Sequence, residues 1–442
     1  MEKEGLNEAV ITDRESNWQI AKDIATSFIG SLSGDMFAFG MGLMLLDQTH
    51  LAISFGIEMI ITPLVGLACL IPVGNLVDRH RHKRILNFST GLRLLALVIF
   101  ALAIDRFAGA GKLVPVVLFL IINTFSVNIN NATYTSSVHE LVNRQKIQKL
   151  NSLVQGAGSL ATIASPALGT ALYSVVGFDM FIYIEIGATA LSWLILQTMH
   201  FHYAPMVQQE KSTVQNTLQG QFKGFKEGLV YLKKRSLLTT VIAIAIVLNF
   251  IFTSLNIGLP FVIKNQLGFG NTPVGYLNSA FSFGMLVGSL LLGLFSKSNN
   301  LKTRLMFPMI LLGVEISLLG GTLKFTQNPT QVSVIGSLVM ASIGITLLVL
   351  NVTIMVRLQQ TVPTQLLGRV STLLTTANTS VEPLGTIFYT IVFQKVLHGS
   401  LVFIVNGSVM LVYTLIMIPL MMKAIKNEAE LDAQVKVSEH IE

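Results

Sequence analysis

Long apolar stretches separated by short polar turns dominate the pattern of hydrophobic and polar positions along the chain. A helix needs about 20 mostly apolar residues to cross the hydrocarbon core of a bilayer. Twelve stretches meet this requirement, so the pattern predicts twelve membrane-spanning helices. The predicted spans are 21–46, 52–74, 86–105, 114–137, 152–175, 180–200, 237–263, 274–296, 305–325, 332–357, 370–395 and 399–422. Spans 152–175 and 370–395 carry the weakest signal because both are rich in Ser, Thr and Gly.

One long polar interval, residues 201–236, separates two sets of six predicted spans. Inside it, Phe225, Leu229 and Leu232 recur at helical spacing, which predicts an amphipathic helix along the membrane interface. A disordered linker is the alternative. The predicted organisation is an N-terminal six-helix bundle over 1–200, a cytoplasmic linker over 201–236, a C-terminal six-helix bundle over 237–423 and a cytoplasmic tail over 424–442.

Composition excludes several classes of protein. Charged residues make up 12% of the 442 positions and apolar residues 52%, and the charged share is about half of that in soluble proteins. Most of the chain is therefore expected to lie in lipid. The single cysteine, Cys69, excludes an intramolecular disulfide, a four-cysteine zinc site and an iron–sulfur cluster. Residues 1–17 hold five acids and no apolar core, so we expect no secretory signal peptide.

The distribution of basic residues orients the spans. Cytoplasmic loops of membrane proteins carry an excess of Lys and Arg. With both termini inside, 25 of the 30 Lys and Arg residues fall on the cytoplasmic side. This predicts a multi-pass protein of the cell membrane with both termini in the cytoplasm. The net charge of +7 therefore reports topology and gives no support to a nucleic-acid partner.

The two sets of spans repeat part of their sequence. Residues 141–153 are similar to residues 361–373, at an offset of 220. In each, a polar turn is followed by a basic residue, Lys149 or Arg369, that opens a helix of small residues. Parallel repeats predict two bundles related by a pseudo-twofold axis along the membrane normal, with a binding site near the midplane. Such an architecture suits alternating access.

The turn between spans 2 and 3 carries the most specific motif. Residues 74–84, GNLVDRHRHKR, resemble the signature G-x-L-x-D-R-x-G-R-[KR] of the major facilitator superfamily. Two positions differ, since Arg81 replaces a glycine and His82 replaces an arginine. The matching residues are Gly74, Leu76, Asp78, Arg79 and Lys83.

Shorter matches before spans 7 and 11 are similar to the bacterial drug-efflux branch that contains macrolide and siderophore exporters. The residues concerned are Gly228, Tyr231, Leu232, Gln359, Pro363, Gly368, Arg369 and Val370. The resemblance implies an all-α integral membrane protein with twelve helices in two six-helix bundles. It also implies a monomeric secondary transporter that exchanges protons for an amphipathic small molecule and is surrounded by membrane lipid.

The signature residues suggest a conformational gate. Asp78 is an anion at a cytoplasmic helix end, where it would meet the positive N-terminal dipole of span 11 near Gly368 and Arg369. The alternative is a surface pair between Asp78 and Arg79 or Arg81, worth ~0–1 kcal/mol. The predicted gate residues are Gly74, Asp78, Arg79, Lys83, Arg93, Gly368 and Arg369.

Five carboxylates fall inside predicted spans. They are Asp35, Glu58, Glu185, Glu315 and Glu382. An ionised acid at the bilayer centre costs about 2.5–3.5 kcal/mol, so each must face water, pair with a cation or take up a proton. Arg93, the one cation well inside a span, cannot neutralise five anions, and we expect it to snorkel or to hold the Asp78 segment. Loss of hydration favours the neutral acid, which a proton carrier requires.

Position along the spans separates the five carboxylates. Asp35 lies in the middle of span 1 on a stripe of small and polar residues, and we expect it to bind the proton and a cationic substrate. Glu382 and Glu58 are the further candidates for proton binding. Glu185 and Glu315 belong to spans that the resemblance places at the periphery, so packing against a polar neighbour is their expected role. Which of these two is functional stays open.

Uncharged polar residues recur at helical spacing on other predicted spans, where they are mixed with aromatic residues. Such a surface suits a large amphipathic substrate that is held loosely. Together with the carboxylates, the candidate substrate-binding residues are Asn130, Tyr134, Asn249, Asn256 and Asn351.

Three functions are compared on this basis. The first is a proton-driven exporter of lipophilic, cationic drugs. The second is a lysophospholipid or siderophore carrier of the same fold. The third, a membrane enzyme, lacks support because the sequence contains no Walker loop, HExxH pair or nucleophile elbow. No catalytic residue, cofactor or metal ion is expected.

Overall fold

The computed structural model describes residues 11–202, 235–294, 301–362 and 364–439. Within these ranges the chain is helical and contains no β-strand. The predicted interfacial helix around Phe225 lies outside the described residues, as does most of the interval 201–236.

The first half of the chain forms six helices. The element Ile147–Thr198 is broken at Gly177, whose φ of 74° is a conformation that glycine adopts without steric cost, and we number its arms α5 and α6. Single turns of 3₁₀-helix join several of the helices. The helices are α1 (Asp13–Thr49), α2 (Ile53–Arg79), α3 (His82–Ala103), α4 (Leu113–Leu141), α5 (147–176) and α6 (178–198).

The second half also forms six helices within the described residues. A π-helical turn, Val262–Gln266, follows the first of them. They are α7 (Ser236–Phe261), α8 (Thr272–Leu294), α9 (Leu301–Phe325), α10 (Pro329–Thr361), α11 (Thr364–Lys395) and α12 (Gly399–Glu439).

Each of the twelve predicted spans corresponds to one of these helices, but several helices are longer than the apolar stretch. The first begins at Asp13 rather than near residue 21, and the last runs on to Glu439 through most of the predicted tail. Polar residues continue a helix beyond the bilayer when their backbone bonds remain satisfied. The family signature is largely helical, because α2 ends at Arg79 and α3 begins at His82.

Length and hydropathy identify eight stretches of the described residues that are long and apolar enough to cross a membrane, and one of them contains both α5 and α6. Helices α2, α8 and α11 form without belonging to this set. For α11 the reason is visible in its sequence, which is rich in Ser and Thr.

The chain divides into two compact units. Unit 1 contains α1, α3–α6 and residues 61–79 of α2, whereas unit 2 contains residues 50–60 and α7–α12. The start of α2 belongs to unit 2 because the Ala52 N–H donates to the Gln394 side chain at 3.1 Å and Gly56 lies against Thr386. Glu58 is in this same segment, so the structure groups it with the second half of the chain.

Unit 1 is built around the contact between α1 and α5, with α3 and α4 packed beside them. Four phenylalanines from α1, α3, α4 and α6 form an aromatic cluster with ring centroids 5.1–6.3 Å apart. These residues are Phe37, Phe100, Phe119 and Phe178. Offset and edge-on ring pairs stabilise such a cluster beyond its buried area.

Unit 2 is held by helix seams in which backbones touch. A Cβ added at Gly284 of α8 would clash with the Ala341 carbonyl of α10, and one added at Gly344 of α10 would clash with the Phe281 carbonyl of α8. Gly407 of α12 meets α9 in the same way. In lipid, where apolar side chains gain nothing by leaving the solvent, close backbone approach through small residues supplies much of the helix association.

Candidate functional site

Asp35 lies in the middle of α1, on the side that meets α5. Its side chain is exposed, and its Oδ2 accepts a hydrogen bond at 3.2 Å from the hydroxyl of Thr162 on α5. It makes no ion pair within the described part of the chain. An acidic side chain in a membrane-spanning helix thus accepts a hydrogen bond from one neutral donor, and much of its remaining surface is exposed.

Arg93 of α3 forms an ion pair with Glu185 of α6. The guanidinium Nη2 donates to Glu185 Oε1 at 2.5 Å, and the Glu185 side chain is 1% exposed. Thr189, one turn further along α6, donates to the same oxygen at 3.4 Å. Removing one partner of a buried pair leaves an unpaired charge, which costs about 3–5 kcal/mol.

Arg93 connects this pair to Asp35. A Cβ built at Gly34 would lie 3.3 Å from Arg93 Nη2, so the guanidinium rests against the turn of α1 that carries Asp35. Unit 1 therefore holds one cation beside two carboxylates, one buried and paired, the other exposed.

A cavity opens between α1 and α6 beside the ion pair. Its walls are mostly apolar, with Phe28, Leu32 and Phe181 among them, and Ser33 and Glu185 are its polar members. Glu185 Oε2 is buried without a hydrogen-bond partner in the described structure. Buried acceptors are almost always satisfied, so an open one beside a cavity marks a place for a proton or a donor.

Glu315 of α9 is the corresponding buried carboxylate in unit 2. Its Oε1 accepts hydrogen bonds from the hydroxyls of Ser342 and Thr346 on α10, the second at 3.1 Å. The residue is 3% exposed and has no Lys or Arg partner among the described residues. Both peripheral glutamates thus pack against polar neighbours, as expected from the sequence.

The two other carboxylate candidates, Glu382 and Glu58, are half-buried. Glu382 is half-buried on α11, with no hydrogen bond or ion pair to another described residue. Glu58 is half-buried at the start of α2 in unit 2 and takes part in an interaction there. Glu58 and Glu382 belong to unit 2, whereas Asp35, Arg93 and Glu185 belong to unit 1.

The uncharged candidates have differing surroundings. Asn130 accepts a hydrogen bond from Ser89, and Tyr134 packs on the apolar cluster that contains Leu141. Asn249 donates to the backbone of its own helix at 2.9 Å. The two candidates that are exposed are Asn256 and Asn351.

Lys83 and His82 of the signature segment are tied to their own unit. Lys83 Nζ donates to the carbonyls of Gln197 and Met199 at 2.8 and 2.7 Å, where it satisfies the carboxyl end of α6. His82 pairs with Glu140 of α4 at 2.8 Å. The backbones of the remaining gate candidates are helical, but their side chains lie outside the described part of the structure. These are Gly74, Asp78, Arg79, Gly368 and Arg369.

Sequence reasoning missed two features of the site: the partnership of Arg93 with Glu185 and the contact of Thr162 with Asp35. A signal for the first was present, because a lone cation inside the spans must find one of five carboxylates. Helical periodicity does not say which helices are neighbours, so the partner was not predictable. For Arg93 the structure shows an ion pair within the span.

No group of three or more His, Cys, Asp or Glu residues that would hold a metal ion occurs in the described ranges. The polar residues are instead arranged as a carboxylate, a hydroxyl and an ion pair inside apolar helices.

Comparison with known proteins places the chain in a family. The family model described as Major Facilitator Superfamily matches residues 24–386. Macrolide efflux protein A of Enterococcus faecalis is 25% identical over 263 residues, which cover 56% of this chain and 74% of that protein. The protein of the same name from Streptococcus pyogenes is 24% identical over 262 residues, and the match spans 59% of its length.

Solved structures show the same fold at low sequence identity. A bacterial homologue of the iron transporter ferroportin, in an inward-facing state, is 11% identical with a TM-score of 0.69, covering 92% of this chain and 98% of that one. A D-xylose–proton symporter is 15% identical with a TM-score of 0.65, covering 90% and 96%. The family model and the shared fold identify a multi-pass membrane transporter of small molecules rather than an enzyme. The chain belongs to the major facilitator superfamily.

Proposed function

We propose that this protein exports lipophilic, cationic small molecules across the cell membrane in exchange for protons, with Asp35 as the residue that binds both. The observation that carries the proposal is the state of Asp35. It is an exposed carboxylate in the middle of a membrane-spanning helix, and its described partner is the neutral hydroxyl of Thr162.

The chemistry of the exchange follows from this environment. An ionised Asp35 attracts a cation, because in a poorly hydrated site the Coulomb attraction is weakly screened. A protonated Asp35 is neutral and loses that attraction. The Thr162 hydroxyl can donate to the carboxylate or accept from the acid, so it stabilises both states. Proton and substrate therefore compete for one residue.

The drug-like cargo is supported by the relatives in the comparison, two macrolide efflux proteins. A siderophore, as a multiply charged anion, is disfavoured because Arg93 is bonded to Glu185 in the structure and no second cation lies beside it in the described part of unit 1. A lysophospholipid carrier has no observation in its favour.

The proposal retains the organisation inferred from the sequence: two six-helix halves over 1–200 and 237–423, both termini in the cytoplasm, and a monomer working by alternating access. It also retains the gate, in which Asp78 meets the amino end of α11 near Gly368 and Arg369. Glu382 and Glu58 remain proposed as additional proton sites.

The test is proton-driven transport by purified protein in proteoliposomes. An imposed pH gradient should drive a radiolabelled macrolide and tetraphenylphosphonium to accumulate on the acidic side of the membrane, because substrate and protons move in opposite directions. Asp35→Asn should abolish the gradient-driven transport while the protein remains folded.

Asp47 provides a matched control, because it lies on the same helix and also accepts a hydrogen bond from α5, from Tyr173 at 2.8 Å. Asp47→Asn should keep gradient-driven transport. Full activity of Asp35→Asn would refute the assignment.

A further inference from the structure

Three charged side chains follow one another inside unit 1. Arg93 Nη2 donates to Glu185 Oε1 at 2.5 Å, and the same nitrogen would lie 3.3 Å from a Cβ built at Gly34, the residue before Asp35. One cation is thus bonded to one carboxylate and lies against the turn of α1 that carries the other. In the structure it is bonded to Glu185, which leaves Asp35 available to a substrate.

Arg93 is placed to reach the second carboxylate as well. A guanidinium carries five N–H donors, and the buried Nε of Arg93 has no partner among the described residues. Gly34 precedes Asp35, and the absence of a Cβ there lets the guanidinium lie against that turn of α1. A larger residue at this position would separate Arg93 from Asp35.

Glu185 has a free position for a proton. Its Oε2 is buried at the cavity between α1 and α6 without a hydrogen bond of ordinary geometry, and the Ser33 hydroxyl of α1 is near enough to Glu185 to act as a donor. A proton on Oε2 would remove the negative charge that Arg93 neutralises. Arg93 would then be a largely buried cation without a counter-ion, which proteins avoid strongly. The other carboxylate beside it is Asp35.

We propose that Arg93 exchanges partners: when Glu185 takes up a proton, Arg93 turns to Asp35, neutralises it and displaces the bound cation. The inference rests on the proposed function and changes one step of it: Glu185 takes up the proton in place of Asp35, and Arg93 is the positioning group that carries the effect to Asp35. The exchange is balanced, since one positive charge enters on the proton and one leaves with the substrate.

The groups that surround these residues leave the exchange unobstructed. Glu185 is faced by Arg93 from α3, by Thr189 from its own helix and by Ser33 of α1, which lines the same cavity. Asp35 is faced by Thr162 from α5 and by Arg93. Within the described ranges, the ionisable members of this set are the three residues of the exchange.

Binding of tetraphenylphosphonium, a permanent cation, to the full-length protein in detergent tests the exchange. Glu185→Gln imitates the protonated glutamate, so Arg93 should pair with Asp35 at every pH. The dissociation constant should then rise at least about tenfold at alkaline pH, where wild type binds best. The double variant Glu185→Gln/Arg93→Gln should restore the affinity to within about threefold of wild type, because no cation remains to occupy Asp35.

Glu315→Gln is the matched control, since Glu315 is also buried and its Oε2 is also unpaired in the described structure, but its Oε1 is bonded to hydroxyls and to no cation. It should leave the dissociation constant unchanged. An unchanged constant in Glu185→Gln, or a double variant as weak as the single one, would overturn the exchange. The dissociation constant is a property of the folded protein. A loss of folded protein therefore lowers the amplitude of the binding signal and leaves the dissociation constant unchanged.

A second measurement does not depend on cation binding. Infrared titration, with the Glu185 carboxyl band assigned from Glu185→Gln, follows protonation of this residue directly. Asp35→Asn removes the alternative partner of Arg93, so the Glu185 band should appear only at a lower pH. In an Arg93→Gln background the same Asp35→Asn change should leave the band where it is.

These outcomes separate the two proposals. If wild type fails to bind tetraphenylphosphonium but the Arg93-dependent shift of the Glu185 band is present, the cargo is wrong and the exchange holds. If the band does not shift, or shifts equally without Arg93, the exchange is wrong whatever the cargo.

Discussion

Two buried glutamates, one in each unit, are accommodated in different ways. Glu185 of unit 1 is bonded to a cation, Arg93, whereas Glu315 of unit 2 accepts hydrogen bonds from Ser342 and Thr346. Hydroxyl groups can donate to a carboxylate or accept from an acid, so they tolerate either charge state of Glu315. A cation tolerates only the ionised state of its partner. We therefore expect proton uptake to change contacts in unit 1 and to leave them in place in unit 2.

The packing of the helices also differs between the two units. In unit 2, Gly284 and Gly344 bring the backbones of α8 and α10 into contact. In unit 1, a Cβ added at Gly156 or Gly158 of α5 would meet nothing within 4 Å beyond its own helix. At these glycines the helix backbones approach more closely in unit 2 than in unit 1, where a Cβ built at Gly169 of α5 would lie 3.4 Å from the Met36 carbonyl of α1.

The largest expected effect comes from removing the cation of unit 1. Arg93→Met leaves Glu185 buried without a counter-ion and should lower the free energy of unfolding by about 3–5 kcal/mol near neutral pH. Adding Glu185→Gln should recover most of the loss. Thermal unfolding in detergent measures the stability of both variants. A double variant no more stable than Arg93→Met would show that the ion pair is not the source of the lost stability.

The next largest effect concerns the locked seam of unit 2. Gly284→Val places branched carbons against the Ala341 carbonyl and should destabilise the protein by about 1–3 kcal/mol, the usual cost of overpacking. Gly158→Ala on the open part of α5 is the control, and it should stay within about 0.5 kcal/mol of wild type. Equal losses of stability in both variants would contradict the packing difference between the units.

A smaller effect is expected from the hydroxyls around Glu315. Ser342→Ala removes one of two donors and should cost about 1–2 kcal/mol, since a carboxylate oxygen loses part of its solvation. The pH dependence of cation binding should not change. A shifted pH profile in Ser342→Ala would show that unit 2 also takes part in proton coupling.

The smallest effect is expected from Glu315→Gln. Its amide retains an oxygen that accepts from Ser342 and Thr346, so the loss of stability should be below about 1 kcal/mol. Gradient-driven transport should match wild type. Loss of transport with intact folding would make Glu315 a proton carrier and end the contrast with Glu185.

The fold was largely predictable because the bilayer imposes a simple length rule. Every apolar stretch became a helix, including the Ser- and Thr-rich α11, and Gly177 marks the break between α5 and α6. The extent of α12 was not predictable from hydropathy, since its charged end continues the helix beyond the apolar stretch.

The candidate site was predictable only in part. Asp35 was recognisable because an acid inside a long apolar helix has few explanations. Its contact with Thr162, and that of Arg93 with Glu185, depend on which helices are neighbours and how each is rotated. Helical periodicity within one segment gives neither the neighbours of a helix nor its rotation. The sequence therefore predicted a set of side chains on different helices but not which of them are in contact.

Substrate-induced proton movement in proteoliposomes tests the central claim most directly, because it counts protons rather than inferring them. With a pH-sensitive dye in the lumen, adding tetraphenylphosphonium to wild-type protein should move protons in the opposite direction. Asp35→Asn should abolish that signal and Glu315→Gln should preserve it. Proton movement that survives Asp35→Asn, or vanishes in Glu315→Gln, would contradict the assignment of coupling to unit 1.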